Sequence, residues 1–275
     1  MVANMIKQGS LKKFLAMTTA AFLMAGTTIV LMPQSAEAQT TEGRQFGAKA
    51  GAVVNEALQF MNGNQYSPAL NKLNEAISIP ELNAYERSTI YQMMGASSYE
   101  LNDYGGAISS FQNAINAGGL LPNESDSLRV NIAQLLIANG QYSQGAQELE
   151  NYLNRGGQQK PQYVEMLTQA WVQSENYSRA LPWAEKWFRA ASPKERKHFD
   201  LLNFLYNNLG QPGRQADIVK EMITKWPNDK QLWDSWASLL ANGGREQDAF
   251  EVNNCLLYTS PSPRDATLSR MPSSA

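Results

Sequence analysis

Tyr104-Gly105-Gly106-Ala107-Ile108-Ser109-Ser110-Phe111-Gln112-Asn113-Ala114 is the stretch on which the fold turns. A tyrosine opens it, a small residue follows at Ala107, and core-type residues come at Phe111 and Ala114. Steps of three and four keep such residues on one face of a helix. A polar turn, Asn102-Asp103, stands before it, and Tyr91 and Met94-Gly95 belong to a helical run before the turn. The same pattern recurs outward in both directions, at Tyr66-Ser67-Pro68-Ala69, Tyr142-Ser143-Gln144-Gly145 and Tyr177-Ser178-Arg179-Ala180. From Tyr66 through Tyr104 and Tyr142 to Tyr177 the spacings are 38, 38 and 35 residues. Matching core positions follow at Leu73, Leu149 and Ala184, then at Ala76, Tyr152 and Trp187. Two weaker copies run through Leu209-Gly210-Gln211-Pro212, Val219, Met222 and Pro227, and through Trp233, Ala237, Gly244 and Ala249.

Self-similarity at a fixed period marks a repeat architecture. The series of aromatic, small, turn, Tyr-x-x-Ala, Phe, Ala resembles the tetratricopeptide repeat family over about Ala50 to Asn254, and matches it best in the second repeat. The resemblance implies an all-α fold: a TPR-like α-solenoid of about six helix-turn-helix repeats (helix A, then helix B) in a right-handed superhelix. Pro212 replaces the tyrosine in the fifth repeat, and most inter-repeat prolines are missing or shifted. Spacings of 38 exceed the usual ~34 and predict longer A–B loops or repeat junctions. The residues support the reading independently. Ala69, Leu70, Leu73, Ala76 and Ile77 follow the helix period. Ser192-Pro193-Lys194-Glu195 reads as a helix start, with N-cap, first-turn proline and capping-box glutamate. Gly118-Gly119 and Gly156-Gly157 read as helix ends. One such pair cannot bury its apolar face alone, whereas stacked pairs share a continuous core.

Neither end of the chain belongs to this pattern. Lys7, Lys12 and Lys13 precede an apolar run from Phe14 to about Met32, and Ala36-Glu37-Ala38 offers a small-x-small cleavage site. That order defines a secretory signal peptide, so the chain is read as residues 1–38 signal peptide, 39–49 linker and 50–254 repeat domain. Membrane contact is expected only through the signal peptide before cleavage. Cys255 to Asp265, with Ser269 to Ala275, resembles a translated sequencing adapter, so residues 255–275 are read as a non-native tail. The repeat domain is then C-terminally truncated near Asn254. Apolar surface is expected near Trp236, Leu239 and Phe250 for want of a polar cap.

Composition narrows the chemistry. Without the two ends, Lys+Arg falls from 23 to 18 and Asp+Glu from 25 to 23, a balance of about −5. A mildly acidic chain without clustered Lys and Arg does not fit nucleic acid. The one cysteine, Cys255, lies in the tail, so neither a disulfide nor a thiolate nucleophile is expected. His198, the one histidine, stands among Lys194, Glu195, Arg196, Lys197 and Asp200 and reads as a solvated or capping residue rather than a metal ligand or general base. No His-Glu-x-x-His, phosphate loop or Gly-x-Ser-x-Gly elbow occurs, and Glu148 and Glu150 on adjacent helix positions point apart. No cofactor, no metal and no catalysis are therefore expected. The six tryptophans read as core fillers, with Trp183 beside Pro182 as the exception.

The family resemblance places the partner-binding groove on the inner face of each helix A. Carried onto this sequence, that face holds Gln92, Ala96 and Tyr99, then Asn131, Gln134 and Ile137, then Glu165, Gln169 and Gln173, then Asp200, Phe204, Asn207 and Asn208, with Asp234 and Ser238 last. Side-chain amides both donate and accept, which suits the backbone of an extended partner. With few Lys or Arg in the set, a neutral or basic segment fits better than an acidic one. The chain resembles exported repeat proteins of Gram-negative envelopes, some associated with TonB-type systems. It is accordingly expected to be a periplasmic scaffold that binds protein or peptide partners of the envelope. The alternative is an accessory module of an envelope enzyme whose catalytic domain lies beyond Asn254. Reading the native locus across the Asn254 codon checks both expectations. A frame that stops after one or two more helices supports the scaffold, and a frame that continues into a new domain supports the enzyme. Finding Cys255–Ala275 in the genome would show the tail to be native.

Overall fold

The computed structural model describes residues 44–250 and 252, so the expected signal peptide and the adapter-like tail lie outside it. The chain divides into two compact units, one running to Ser174 and one starting at Glu175. The first holds α1 (Ala48–Asn62), α2 (Tyr66–Ile77), α3 (Ala84–Glu100), α4 (Tyr104–Asn116), α5 (Pro122–Ala138), α6 (Tyr142–Asn154) and α7 (Pro161–Gln173). The second holds α8 (Tyr177–Ala190), α9 (Arg196–Asn208), α10 (Pro212–Lys225) and α11 (Lys230–Asn242), followed by helical residues 246–250. No strand occurs among the described residues. Within each unit, helices consecutive in sequence pack against one another, which gives the expected helix-turn-helix repeats of a tetratricopeptide-type solenoid.

The A–B turn is the constant of the fold. Asn64, Asn102, Gly140, Glu175, Gly210 and Gly244 all take positive φ, between 55° and 80°. Each stands two residues before the next helix begins. Within each unit, one such left-handed residue reverses the chain and lets the following N–H reach back to the end of helix A. Gln65, Asp103, Gln141, Gln211 and Arg245 donate in this way to the carbonyls of Phe60, Ser98, Leu136, Tyr206 and Leu240, at 2.8–2.9 Å. Glycine and asparagine accept the left-handed region most readily, which explains the polar turn residues of the sequence; Glu175 is the costly member.

The longer repeats do not have longer loops, contrary to expectation. Every A–B turn is three residues long. The extra length lies in helix A, which has 17 residues in α3 and α5 against 13 in α7, α9 and α11. The physical reason is at the N-termini. Asn83 Oδ1 accepts from the Glu86 N–H at 2.9 Å while Glu86 Oε2 accepts from the Asn83 N–H at 2.7 Å. Glu124 Oε2 likewise accepts from the Leu121 N–H at 2.7 Å, beside Pro122 in the first turn. These caps satisfy backbone donors one turn earlier and so start the two helices sooner.

Helices A and B meet through small residues. A Cβ on Gly95 of α3 would come within 2.5 Å of the Phe111 ring of α4. Phe111 is buried with Ala107, Ala114, Leu128, Ile132 and Leu136, so one core joins α4 to α5. Ser88 of α3 adds a polar tie: its hydroxyl donates to the Ala114 carbonyl at 2.8 Å and accepts from the Gly119 N–H at 3.0 Å. Trp171 is fully buried and Trp187 is buried in the core of the second unit. Trp183, expected to stand apart, is buried as well. Its place three residues after Ala180 and four before Trp187 puts it on the buried face of α8. At the end of the second unit Ala237, Leu240, Ala249 and Val252 form a small cluster, with Trp233 and Trp236 packed partly against it. Phe250 is 62% exposed, as expected, whereas Trp236 and Leu239 are half-buried.

Two substitutions in the turns test this account. Gly140→Ala is expected to lower stability by about 1–2 kcal/mol, the cost of an L-residue in the left-handed region, and Glu175→Gly to raise it by a similar amount. Gly95→Leu, which drives a side chain into Phe111, is expected to cost about 1–3 kcal/mol. Urea unfolding followed by circular dichroism reads all three.

Candidate functional site

Helix A of each repeat buries one side and leaves a stripe at the helical period open to solvent. On α3, Gly95, Ser97 and Ser98 are buried, while Gln92, Ala96 and Tyr99 are half-buried. On α5, Asn131 and Gln134 are half-buried among the buried Val130, Ile132, Ala133 and Leu135. On α7, Glu165, Gln169 and Gln173 are half-buried, and the Gln169 amide donates to Glu165 Oε1 at 3.3 Å. A register runs through this set. Ala96, Gln134, Gln169 and Phe204 each stand eight residues before the start of the next helix B, at Tyr104, Tyr142, Tyr177 and Pro212, and all four are half-buried. The first unit thus presents an amide-rich stripe on three successive A helices, with Glu165 as its one acidic member among these residues.

Three of the expected groove residues are placed differently from the rest. Ile137 is only 2% exposed. A Cβ on Gly145 would lie 2.6 Å from its Cγ1, so Ile137 fills the contact between α5 and α6 instead of facing a partner. Tyr99 sits at the edge of the core, its ring 6.0 Å from that of Tyr104, and burial raises the pKa of its phenol. Phe204 belongs to the second unit and meets Tyr177 edge-on, with ring centroids 5.4 Å apart. The exposed Asn207 and Asn208 follow it, and Asn208 Nδ2 donates back to the Phe204 carbonyl at 2.8 Å. Tyr99 thus packs partly against the core, Phe204 is half-buried against Tyr177, and the amides of Gln92, Asn131, Gln134, Gln169 and Gln173 are half-buried along the stripe.

His198 caps a helix, and it is buried rather than solvated. Its Nδ1 accepts from the Glu195 N–H at 2.9 Å, and its ring lies on Trp187 with centroids 4.3 Å apart. The helix expected from Ser192 onward begins at Arg196, because His198 supplies the acceptor that caps it there. Burial lowers the imidazole pKa, and Lys197 adds to the effect, while Glu195 opposes it. Among the described residues no group of three or more His, Cys, Asp or Glu could hold a metal ion, and no helix is long and apolar enough to cross a membrane.

Two features escaped the sequence reading. Adjoining open clefts of about 230 and 250 Å³ share Arg129 and Glu148 and are lined further by Ile115 and Ile132 and by polar groups such as Gln112, Asn116 and Asn154. The residues before α1 are tied to helices 75–80 positions away, through Arg44. Neither feature has a local signal, since each joins residues from separate repeats.

No family model matches the chain, and no curated protein matches it. Solved structures do resemble it. A tetratricopeptide repeat protein from Parabacteroides merdae has 16% identity, over 78% of this chain and 81% of that one, with a TM-score of 0.45. MamA from Desulfovibrio magneticus RS-1 has 17% identity, over 67% and 99%, with a TM-score of 0.44. A structure of Naa15/Naa10 bound to HypK-THB has 18% identity, over 78% of this chain and 32% of that one, with a TM-score of 0.53. At these identities the likeness concerns the fold, a helical-repeat solenoid.

Because burial holds His198 below its ordinary pKa of 6.5, the folded second unit keeps the ring neutral where the unfolded chain would protonate it. Its contribution is complete above pH 6.5 and is lost as the pH falls through the folded pKa. The melting temperature is expected to fall more between pH 7 and pH 5 in the unaltered protein than in His198→Gln, whose amide oxygen can still cap Glu195. Equal shifts in the two proteins would contradict this.

Proposed function

We propose that this chain is a non-catalytic adaptor of the bacterial cell envelope, exported to the periplasm, that holds extended segments of protein partners along the A-helix stripe. The observation that carries the reading is the register of half-buried Ala96, Gln134 and Gln169 on α3, α5 and α7, flanked by Gln92, Asn131 and Gln173. A repeat fold repeats its surface as well as its core, so such a stripe meets a chain at regular intervals. The amides offer both donors and acceptors to a partner backbone. The solenoid fold supports protein–protein interaction over catalysis, and the signal-like sequence supports export. Association with a TonB-type energy-transduction system is the finer form of the proposal, motivated by the resemblance to exported repeat proteins.

The test uses Gln134→Ala and Gln169→Ala together, because both residues are half-buried and leave the core intact. Partners are captured from an envelope extract and identified, and the dissociation constant is then measured with the purified partner. Binding is expected to weaken about tenfold, roughly 1.4 kcal/mol, with helicity and melting temperature unchanged. An identified partner that binds the double variant as tightly as the unaltered protein would remove the stripe from the interface.

A further inference from the structure

Four residues ahead of α1 are fastened in turn to the starts of two later A helices. Arg44 Nη2 donates to both oxygens of Glu124, at 2.7 and 3.0 Å, and Arg44 Nη1 donates to the Gly119 carbonyl at 3.2 Å. The guanidinium carbon lies 4.8 Å from the centroid of the Tyr85 ring. The Gln45 carbonyl accepts from Asn83 Nδ2 at 3.3 Å. The Phe46 ring lies 5.8 Å from the same Tyr85 ring, and the Gly47 N–H donates to Glu86 Oε1 at 2.8 Å.

The receiving groups are set by other duties. Glu86 and Glu124 are the capping carboxylates of α3 and α5 and keep those bonds while holding the segment. The Gly119 carbonyl is placed by a turn that lies so close on the start of α3 that a Cβ on Gly119 would overlap the Ala84 carbonyl. An aromatic face, a carboxylate and a carbonyl therefore surround one guanidinium. This combination suits arginine's planar fork and stacking surface and not the point charge of lysine. The site is also reachable, since the Arg44 and Glu124 side chains keep 25% and 33% of their exposure.

We propose that this is a recognition site for an extended Arg-x-aromatic-Gly segment, held in the free protein by its own residues 44–47 and yielded to the same pattern in a protein partner. The residues seated on the site define the ligand: a guanidinium on Tyr85 and Glu124, a ring beside Tyr85, and a free backbone N–H on Glu86. Its own segment competes at the high effective concentration of a tethered ligand, so a partner gains access when the strap is displaced. The proposal is independent of the A-helix stripe, and its failure would leave that reading untouched.

The probe is a labelled, end-blocked peptide of residues 43–48, titrated into the full chain by fluorescence anisotropy. Arg44→Ala with Phe46→Ala, which weakens the strap, is expected to bind it at least tenfold more tightly than the unaltered protein. Arg44→Ala alone serves if loss of Phe46 unfolds α1. A peptide with lysine for arginine is expected to lose at least tenfold. Adding Glu124→Gln, whose amide oxygen can still cap α5, is expected to abolish binding. Absence of saturable binding to the strap variants, or binding indifferent to Glu124→Gln, would overturn the proposal. Dimerisation of the unaltered protein that the peptide reverses would overturn the partner assignment and make a second copy of this chain the occupant.

Discussion

The fold depends on a turn of three residues with one residue held in the left-handed region. Within each unit it returns the chain on itself at the end of helix A, and the N–H of Gln65, Asp103, Gln141, Gln211 or Arg245 closes it on a carbonyl that would otherwise lack a partner. A turn this short leaves no freedom in how far the two helices stand apart. The contact between them must then be made by small residues, which is why Gly95 faces Phe111 and Gly145 faces Ile137. The side of helix A that does not meet helix B is left for other uses. Turn, close approach and open stripe are consequences of one constraint, repeated along the chain.

The repeated element is constant, and the variation lies where it disturbs nothing. Helix A gains or loses a turn at its N-terminus, far from the A–B turn, according to whether a glutamate is present to cap it. The same glutamates do a second service. With one oxygen each satisfies its own helix, and Glu86 and Glu124 between them bind the segment ahead of α1. Electrostatics that begin as a local matter of helix starts thus become a long-range tie in the first unit. In the second unit, caps and packing are joined differently: His198 both caps α9 and lies on Trp187.

Much of this could be read from the sequence, and the rest was hidden for physical reasons. The Tyr-x-x-small motif marks the beginning of helix B and its contact with helix A, so the helix pairs and their core residues Leu73, Phe111 and Leu149 were legible from spacing alone. Asn102 and Gly140 announced their turns because few residues accept positive φ. Helix length was not legible from spacing, since a repeat of 38 residues is equally compatible with a longer loop; the Asn83–Glu86 and Leu121–Glu124 pairs held the missing information. Ile137 was misplaced because family register alone does not tell which side of a helix a small residue such as Gly145 will draw a neighbour toward. For His198, among charged residues, the capping role was legible and the burial was not, because the ring that covers it, Trp187, comes from another helix. The Arg44 site joins residues 75–80 apart and leaves no periodic trace.

The most direct measurement of the central claim places a photo-crosslinking amino acid at Ala96, Gln134 or Gln169 on the stripe, and at Gln112 or Asn151 on helix B as controls. The protein is expressed in its native host, and the crosslinked proteins are identified. An adaptor that holds a partner along its A helices is predicted to give the same partner from all three stripe positions and none from the controls. Crosslinks to that partner from Gln112 and Asn151, with none from the stripe, would contradict the account and place its binding surface on the other side of the repeats.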